Sequence, residues 1–155
     1  MRRADREITD RARILETIGL CDCCRIGFST PDGVYIVPLN FGFVAGPPDV
    51  FYFHGAKEGR KAALLAVGPE VGFELDCSHA LTSAERACSF SYRYRSVIGT
   101  GRAAILDDPD EQLRAMQAIM AHYAPERTFR FSPEQLSSVL LFRITVSQLS
   151  CKEHL

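Results

Sequence analysis

The 155-residue sequence predicts a mainly β fold with peripheral helices, arranged as a small antiparallel barrel in a single domain spanning 1–155. Three observations carry that prediction. Turn clusters at Pro31-Asp32-Gly33 and Gly46-Pro47-Pro48-Asp49 separate extended apolar segments too closely for helical crossovers, so consecutive strands form hairpins. The segment Val139 to Leu149 alternates strictly, with Phe142, Ile144 and Val146 on one face and Arg143, Thr145 and Ser147 on the other. About six strands emerge with three or four helices between them, and closing the sheet into a barrel removes exposed edges.

Taken in order, Thr9 or Asp10 caps a first helix with Ile14, Leu15 and Ile18 on its apolar face, ending at Gly19. Asp22 to Phe28 reads as a strand, Val34 to Val44 as one long extended segment, and Val50 to Phe53 as the next strand. Glu58 to Val67 is a helix stopped by Gly68 and Pro69. Val71 to Leu75 is a strand, and the polar stretch Ser78 to Arg86 is a loop. Tyr92 to Leu106 is a long strand bent at Gly99 and Gly101. Asp108-Pro109-Asp110-Glu111 starts a helix with Leu113, Met116, Met120 and Tyr123 on one face, and Ser132-Pro133 starts a short one.

Composition narrows the function. Hydrophobic residues are 46% and charged residues 24%, ordinary for a globular domain and against disorder. Eighteen Lys and Arg against 19 Asp and Glu give a net charge of −1, so no global basic field recruits nucleic acid. No apolar run reaches the roughly 18 residues of a membrane helix. Met1 to Asp10 alternates Arg with acids and lacks the apolar stretch of a signal peptide, which places the protein in the cytoplasm. In that compartment the six cysteines are thiols. Cys21 and Cys24 form a C-x-x-C, but no second pair completes a zinc site, so a buried structural role is expected over redox or metal chemistry.

Three constellations stand out. In His54-Gly55-Ala56-Lys57-Glu58-Gly59-Arg60-Lys61, three cations crowd a helix start, where the macrodipole favours anions. A bound phosphate resolves the conflict, and a solvated basic helix start is the plainer alternative. In Tyr35-Ile36-Val37-Pro38-Leu39-Asn40-Phe41, Pro38 cannot donate to a ladder; it marks either a strand break that frees backbone groups for a planar ligand or an ordinary bulge. In Cys88 to Gly101, Tyr92, Tyr94 and Ser96 share one strand face and Arg93 and Arg95 the other, suiting an interface, an anionic ring system or a solvated surface. No hydrolase, zinc-protease or nucleotide-loop fingerprint is present, and no catalytic residue is assigned.

With "CDCCRIGF", "YIVPLNF", "FYFHGAKEGRKAALL", "YRYRSVIGTGRA" and "VLLFRITV" in this order along nearly the whole chain, the sequence resembles the pyridoxamine 5′-phosphate oxidase-like flavoproteins with the FMN-binding split-barrel fold. It is most similar to their nitroimidazole-resistance (Nim) branch. The resemblance implies a homodimer with two FMN molecules at the subunit interface. It puts the flavin ring beside Pro38, Leu39, Asn40 and Phe41, and the phosphate near His54, Lys57, Gly59, Arg60 and Lys61. It has Ser96 and Val97 on a strand that approaches the flavin, and makes Tyr92, Arg93 and Arg95 candidates to reach across the interface, Arg95 counting among the cofactor-binding residues. A characteristic C-terminal substrate segment of the true pyridoxamine-phosphate oxidases is absent, so vitamin B6 oxidation is not expected.

The resemblance further implies an FMN-dependent reductase of small oxidised molecules such as nitroaromatics, drawing electrons from NAD(P)H or another donor. A non-catalytic FMN-binding module is the first alternative. A haem-binding or haem-degrading split barrel is the second, with His54 or His79 as axial ligand.

Overall fold

A computed structural model of the chain describes residues 4–155. A short strand β1 (Glu7–Ile8) precedes helix α1 (Arg11–Leu20). Asp10 caps α1 by accepting the Ala12 N–H at 3.0 Å, satisfying a donor the helix start leaves free. Strands β2 (Cys24–Thr30) and β3 (Gly33–Leu39) form a hairpin whose turn closes on Gly33, at φ 114°, a conformation that favours glycine. β4 (Phe41–Val44) and β5 (Val50–Gly55) form the next hairpin.

The segment from 34 to 44, read from sequence as one extended run, is therefore two strands with different partners. β3 pairs with β2, β4 pairs with β5, and Asn40 alone joins them. The remaining strands are β6 (Glu70–Thr82), β7 (Ser91–Ile105) and β8 (Leu140–His154). The sheet runs β3-β2-β6-β7-β8-β5-β4, antiparallel at every pairing, with β1 added to β8. β3 and β4 are thus its two ends, and the sheet curls into a split barrel whose seam falls between them.

Three expectations change on the structure. The polar stretch from Ser78 is not wholly loop: β6 continues to Thr82 through a register shift between Cys77 and Ala80, with Ser78 at φ 59°. Backbone pairing with β7, which carries no apolar pattern, decides this exposed ribbon. Helix α2 (Arg60–Leu65) is shorter at both ends than read, because Gly59 at φ 102° and Gly68 at φ 59° break the helical path. Helix α3 (Pro109–Tyr123) buries Ala115 and Ile119 rather than the longer side chains expected to face inward; Tyr123 is exposed. The small face is needed because β4 lies flush on α3: a Cβ on Gly42 would sit 2.4 Å from backbone atoms of Ala118 and Ile119. Helix α4 (Pro133–Ser137) begins with a complete capping box between Ser132 and Gln135.

The barrel interior is filled by Phe28, Phe41, Phe51, Phe53, Phe73 and Phe142 among aliphatic side chains. A second cluster, including Tyr52, Leu106, Ala115 and Ile119, packs α3 and α4 against the outside of β5 and β8. The register shift between Thr100 and Gly101 falls in the glycine segment expected to bend, where Gly101 lets the Thr145 carbonyl approach. Among the described residues no helix is long and apolar enough to cross a membrane.

Candidate functional site

At the seam, the end of β3 and the end of β5 frame an open cleft of about 330 Å³ lined by Cys23, Pro38, Leu39, Asn40 and His54. Asn40 lies where the chain leaves one edge of the sheet for the other, so no strand neighbour covers it. His54 sits beside Leu141 of β8. Its Nδ1 is buried without a hydrogen-bond partner among the described residues. Burial first, and then the Lys61 cation, hold the imidazole below its ordinary range, so His54 is neutral at pH 7.

The cations of the α2 start divide around the cleft. Arg60 reaches the β2–β3 hairpin, its guanidinium 4.8 Å from the Tyr35 ring centre and 3.4 Å from Thr30 Oγ1. Lys61 turns the other way, folding onto Gly55 with its Nζ 5.8 Å from the Phe142 ring centre. Burial lowers its pKa. Lys57 and Gly59 are exposed. None of Lys57, Arg60 and Lys61 pairs with a carboxylate among the described residues, whereas Arg11, Arg13, Arg25, Arg95, Arg102, Arg114 and Arg143 all do.

The sequence-predicted residues thus fall into two groups. Pro38, Leu39, Asn40 and His54 line one cleft, with Lys57, Gly59, Arg60 and Lys61 on the segment that follows β5. Phe41 and Val97 face the barrel core, both fully buried. Arg95 lies between Glu16 and Glu153 at 3.3 and 3.5 Å, and Ser96 is on the outer face of β7. Within one chain, β7 is three strands from β3 and two from β5, so Arg95, Ser96 and Val97 do not meet the cleft. His79 is held by Asp76 at 2.8 Å and lies parallel to the Tyr92 ring.

Two contributors were not singled out from sequence. Cys23 lines the cleft, while Cys21 and Cys24 are buried. The inward alternation of Cys24, Ile26 and Phe28, with Cys24 opposite Leu39, was the available signal: the residue before Cys24 reaches the level of Asn40. The second is the end of α3. Tyr123 Oη accepts the Phe41 N–H at 3.1 Å and donates to the Asp22 carbonyl at 2.8 Å. His122 Nε2 donates to the Cys21 carbonyl at 2.8 Å. Together they tie the two backbone segments that carry Cys23 and Asn40. Among the described residues no group of three or more His, Cys, Asp and Glu side chains is placed to hold a metal ion.

No curated protein matches the chain. A solved candidate 5-nitroimidazole antibiotic resistance protein from Bacteroides thetaiotaomicron is 30% identical, with a TM-score of 0.81 over 95% of this chain and 86% of that one. An FAD and haem binding protein from Mycobacterium smegmatis superposes with a TM-score of 0.84 at 18% identity, over 96% of this chain and 73% of its own. The flavocytochrome Anf3 from Azotobacter vinelandii gives 0.80 at 18% identity, over 100% of this chain and 72% of its own, and at such identity both report the shared fold. Residues 10–153 match the family described as pyridoxamine 5′-phosphate oxidase, nearly end to end, and the chain belongs to that family.

Proposed function

We propose that the chain binds FMN in the cleft at the seam and acts, as a cytoplasmic homodimer, as a flavin-dependent reductase of small oxidised molecules, nitroaromatics of the nitroimidazole type among them. The observation that carries the reading is the cleft itself: His54 and the uncovered Asn40 line it together, and three cations without carboxylate partners among the described residues follow on the next segment. The residues fit the cofactor. Pro38, Leu39 and Asn40 would flank the ring, while Lys57, Arg60 and Lys61 supply charge-assisted donors to the phosphate, with Gly59 admitting the backbone. Bound there, FMN would supply the two-electron redox chemistry. Neutral His54 offers one ring nitrogen for hydrogen bonding without adding charge beside Lys61. The nitroimidazole-resistance description of the 30% identical neighbour supports the substrate class.

The absorption spectrum of the purified protein tests this. A flavin band near ~450 nm is expected. Chromatography of the released cofactor separates FMN from FAD. Anaerobic titration with NADH and NADPH, followed by a nitroimidazole, reports turnover. A yellow protein that oxidises neither nucleotide is a binding module rather than a reductase. The cleft-lining His54 also suits haem as a second reading, in keeping with the descriptions of two structural neighbours; a Soret band in place of the flavin band would establish it.

A further inference from the structure

Three of the thiols meet in the core behind the end of α1. Cys21 Sγ donates to the Thr17 carbonyl at 3.2 Å, and Cys77 Sγ lies 3.9 Å from the same oxygen. Cys77 is also the side chain that shares a hydrogen bond with the Cys21 thiol. Cys151 of β8 closes the group, beside Cys77 and the Thr17 side chain. Cys21 is 0% exposed, Cys151 1% and Cys77 9%, so Cys77 is the one nearest to solvent. The C-x-x-C spacing points to Cys24 as the partner of Cys21. In the fold Cys24 opens β2 opposite Leu39, and the thiol that acts on it is that of Cys23.

The backbone decides which two of the three can come together. Cys21 is the cap residue that ends α1, outside both the helix and β2. Cys77 stands at the register shift of β6 and is followed by Ser78 at φ 59°. Such irregularities interrupt the ladder and re-aim a side chain. Cys151 has no such slack, being paired on both sides, with Ile8 of β1 and Val97 of β7.

We propose that Cys21 and Cys77 are a reversible redox pair whose disulfide latches the end of α1 to β6. Cys77 is the entry point, with the Ser78 hydroxyl donating to its sulfur at 3.6 Å. A hydroperoxide is the oxidant, hydrogen peroxide being the simplest. The Cys77 sulfur attacks the O–O bond, becomes a sulfenic acid and releases one water. The Cys21 sulfur then attacks the sulfenic sulfur. The S–O bond breaks, and the departing hydroxyl leaves as a second water with the Cys21 proton. The two thiols lose two electrons in all, and the peroxide gains them. A dithiol reverses the bond by exchange. The latch acts on the wall of the cleft. The Cys21 carbonyl accepts from His122 Nε2 at 2.8 Å, and Cys23, two residues on, lines the cleft. Fixing Cys21 to β6 holds that segment at a second point and slows its local opening. The pairing is independent of the cofactor assigned to the cleft.

Hydrogen peroxide treatment of the Cys88→Ser protein, which lacks the exposed thiol, tests the proposal. Proteolysis without reductant, followed by tandem mass spectrometry, should find a cross-link joining Cys21 to Cys77, and dithiothreitol should cleave it. The same treatment after a further Cys21→Ser or Cys77→Ser change should give no cross-link. Amide exchange at 21–23 should slow on oxidation and recover on reduction. The absence of a cross-link, a cross-link through Cys23, Cys24 or Cys151, or Cys77 oxidised past the sulfenic stage with Cys21 still a thiol would overturn the pair. A protein that forms the Cys21–Cys77 cross-link with unchanged exchange at 21–23 would overturn the latch on the cleft wall.

Discussion

Replacing Lys61 with methionine keeps the stem that packs on Gly55 and removes only the charge. Lys61 is half-buried, its pKa is lowered by burial, and no carboxylate among the described residues offsets it. In the cofactor-free protein the ammonium is therefore a liability, and Lys61→Met should leave thermal stability unchanged or raise it, by no more than about 1 kcal/mol at a solvent-screened position. In the proposed FMN complex the same ammonium would meet a phosphate dianion. Losing a charge-assisted hydrogen bond there costs about 1.5–3 kcal/mol, roughly tenfold to over a hundredfold in Kd. Riboflavin, which has no phosphate, should bind wild type and variant alike. Lys61 is also the second cause, after burial, of the depressed His54 pKa, so the imidazole titration followed by NMR should move up toward its ordinary 6.5 in the variant. Fluorescence titrations with FMN and riboflavin, beside thermal melts of the apoprotein, read all of this. Equal FMN affinities would refute the phosphate assignment. A parallel loss of FMN and riboflavin binding with a lowered melting temperature would mean that Lys61 acts only as packing.

Gly42→Ala should cost about 3 kcal/mol in denaturant unfolding, the upper end of overpacking, because its Cβ meets α3 backbone rather than a side chain that can rotate away. Among the cysteines, Cys24→Ser should destabilise by about 1–3 kcal/mol, since Cys24 packs in the apolar core and a hydroxyl there finds no partner. Cys21→Ser should cost less, because the Thr17 carbonyl that accepts from Cys21 Sγ at 3.2 Å can accept from the serine; neither change should alter FMN content. Burial pushes the Asp49 carboxyl up, but hydrogen bonds from Arg11 and the Gly46 N–H outweigh it and hold it below its ordinary 3.8. The stability this contributes is complete above that unfolded value and is lost as pH falls through the lowered folded one. Urea midpoints at about pH 6 and pH 3 should therefore fall more for wild type than for Arg11→Met.

The β architecture was legible because turns and alternation are local: Pro31-Asp32-Gly33 and the run ending at Leu149 announce themselves without knowledge of their neighbours. The division of the 34–44 segment was not, because Phe41 changes partner rather than conformation, and only long-range pairing with Phe53 reveals it. The α3 face was legible only in part: Leu113 and Met116 do pack against the cluster, but they are only partly buried. The closest contact lies elsewhere on the helix, where the chain at Gly42 comes flush with the backbone of Ala118 and Ile119, and hydrophobic size does not reveal it. The cleft residues Pro38 to Asn40 and the cations after His54 were visible as local conflicts, a proline in a strand and positive charge at a helix start. Cys23 and Tyr123 carry no such conflict. Their place at the site follows from backbone neighbours distant in sequence, at Asn40 and at Asp22 and Phe41 respectively.

The hand-over at Asn40 has a consequence for how the molecule opens. Each of β3 and β4 has one strand neighbour, so the amides along their outer sides have no ladder partner, and the covalent link between the two edges is one residue long. Elsewhere the barrel wall cannot part without breaking a ladder; here it can part like a zip. Transient separation should begin at this line, and the outward amides of 37–44, apart from Phe41, whose N–H Tyr123 holds, should exchange fast in the empty protein while the β6–β7–β8 wall stays protected. A ligand held between Asn40 and His54 spans both margins and bolts them together. The heat and protease resistance of the whole domain would then rise with cofactor loading, through the few residues where no ladder closes the sheet.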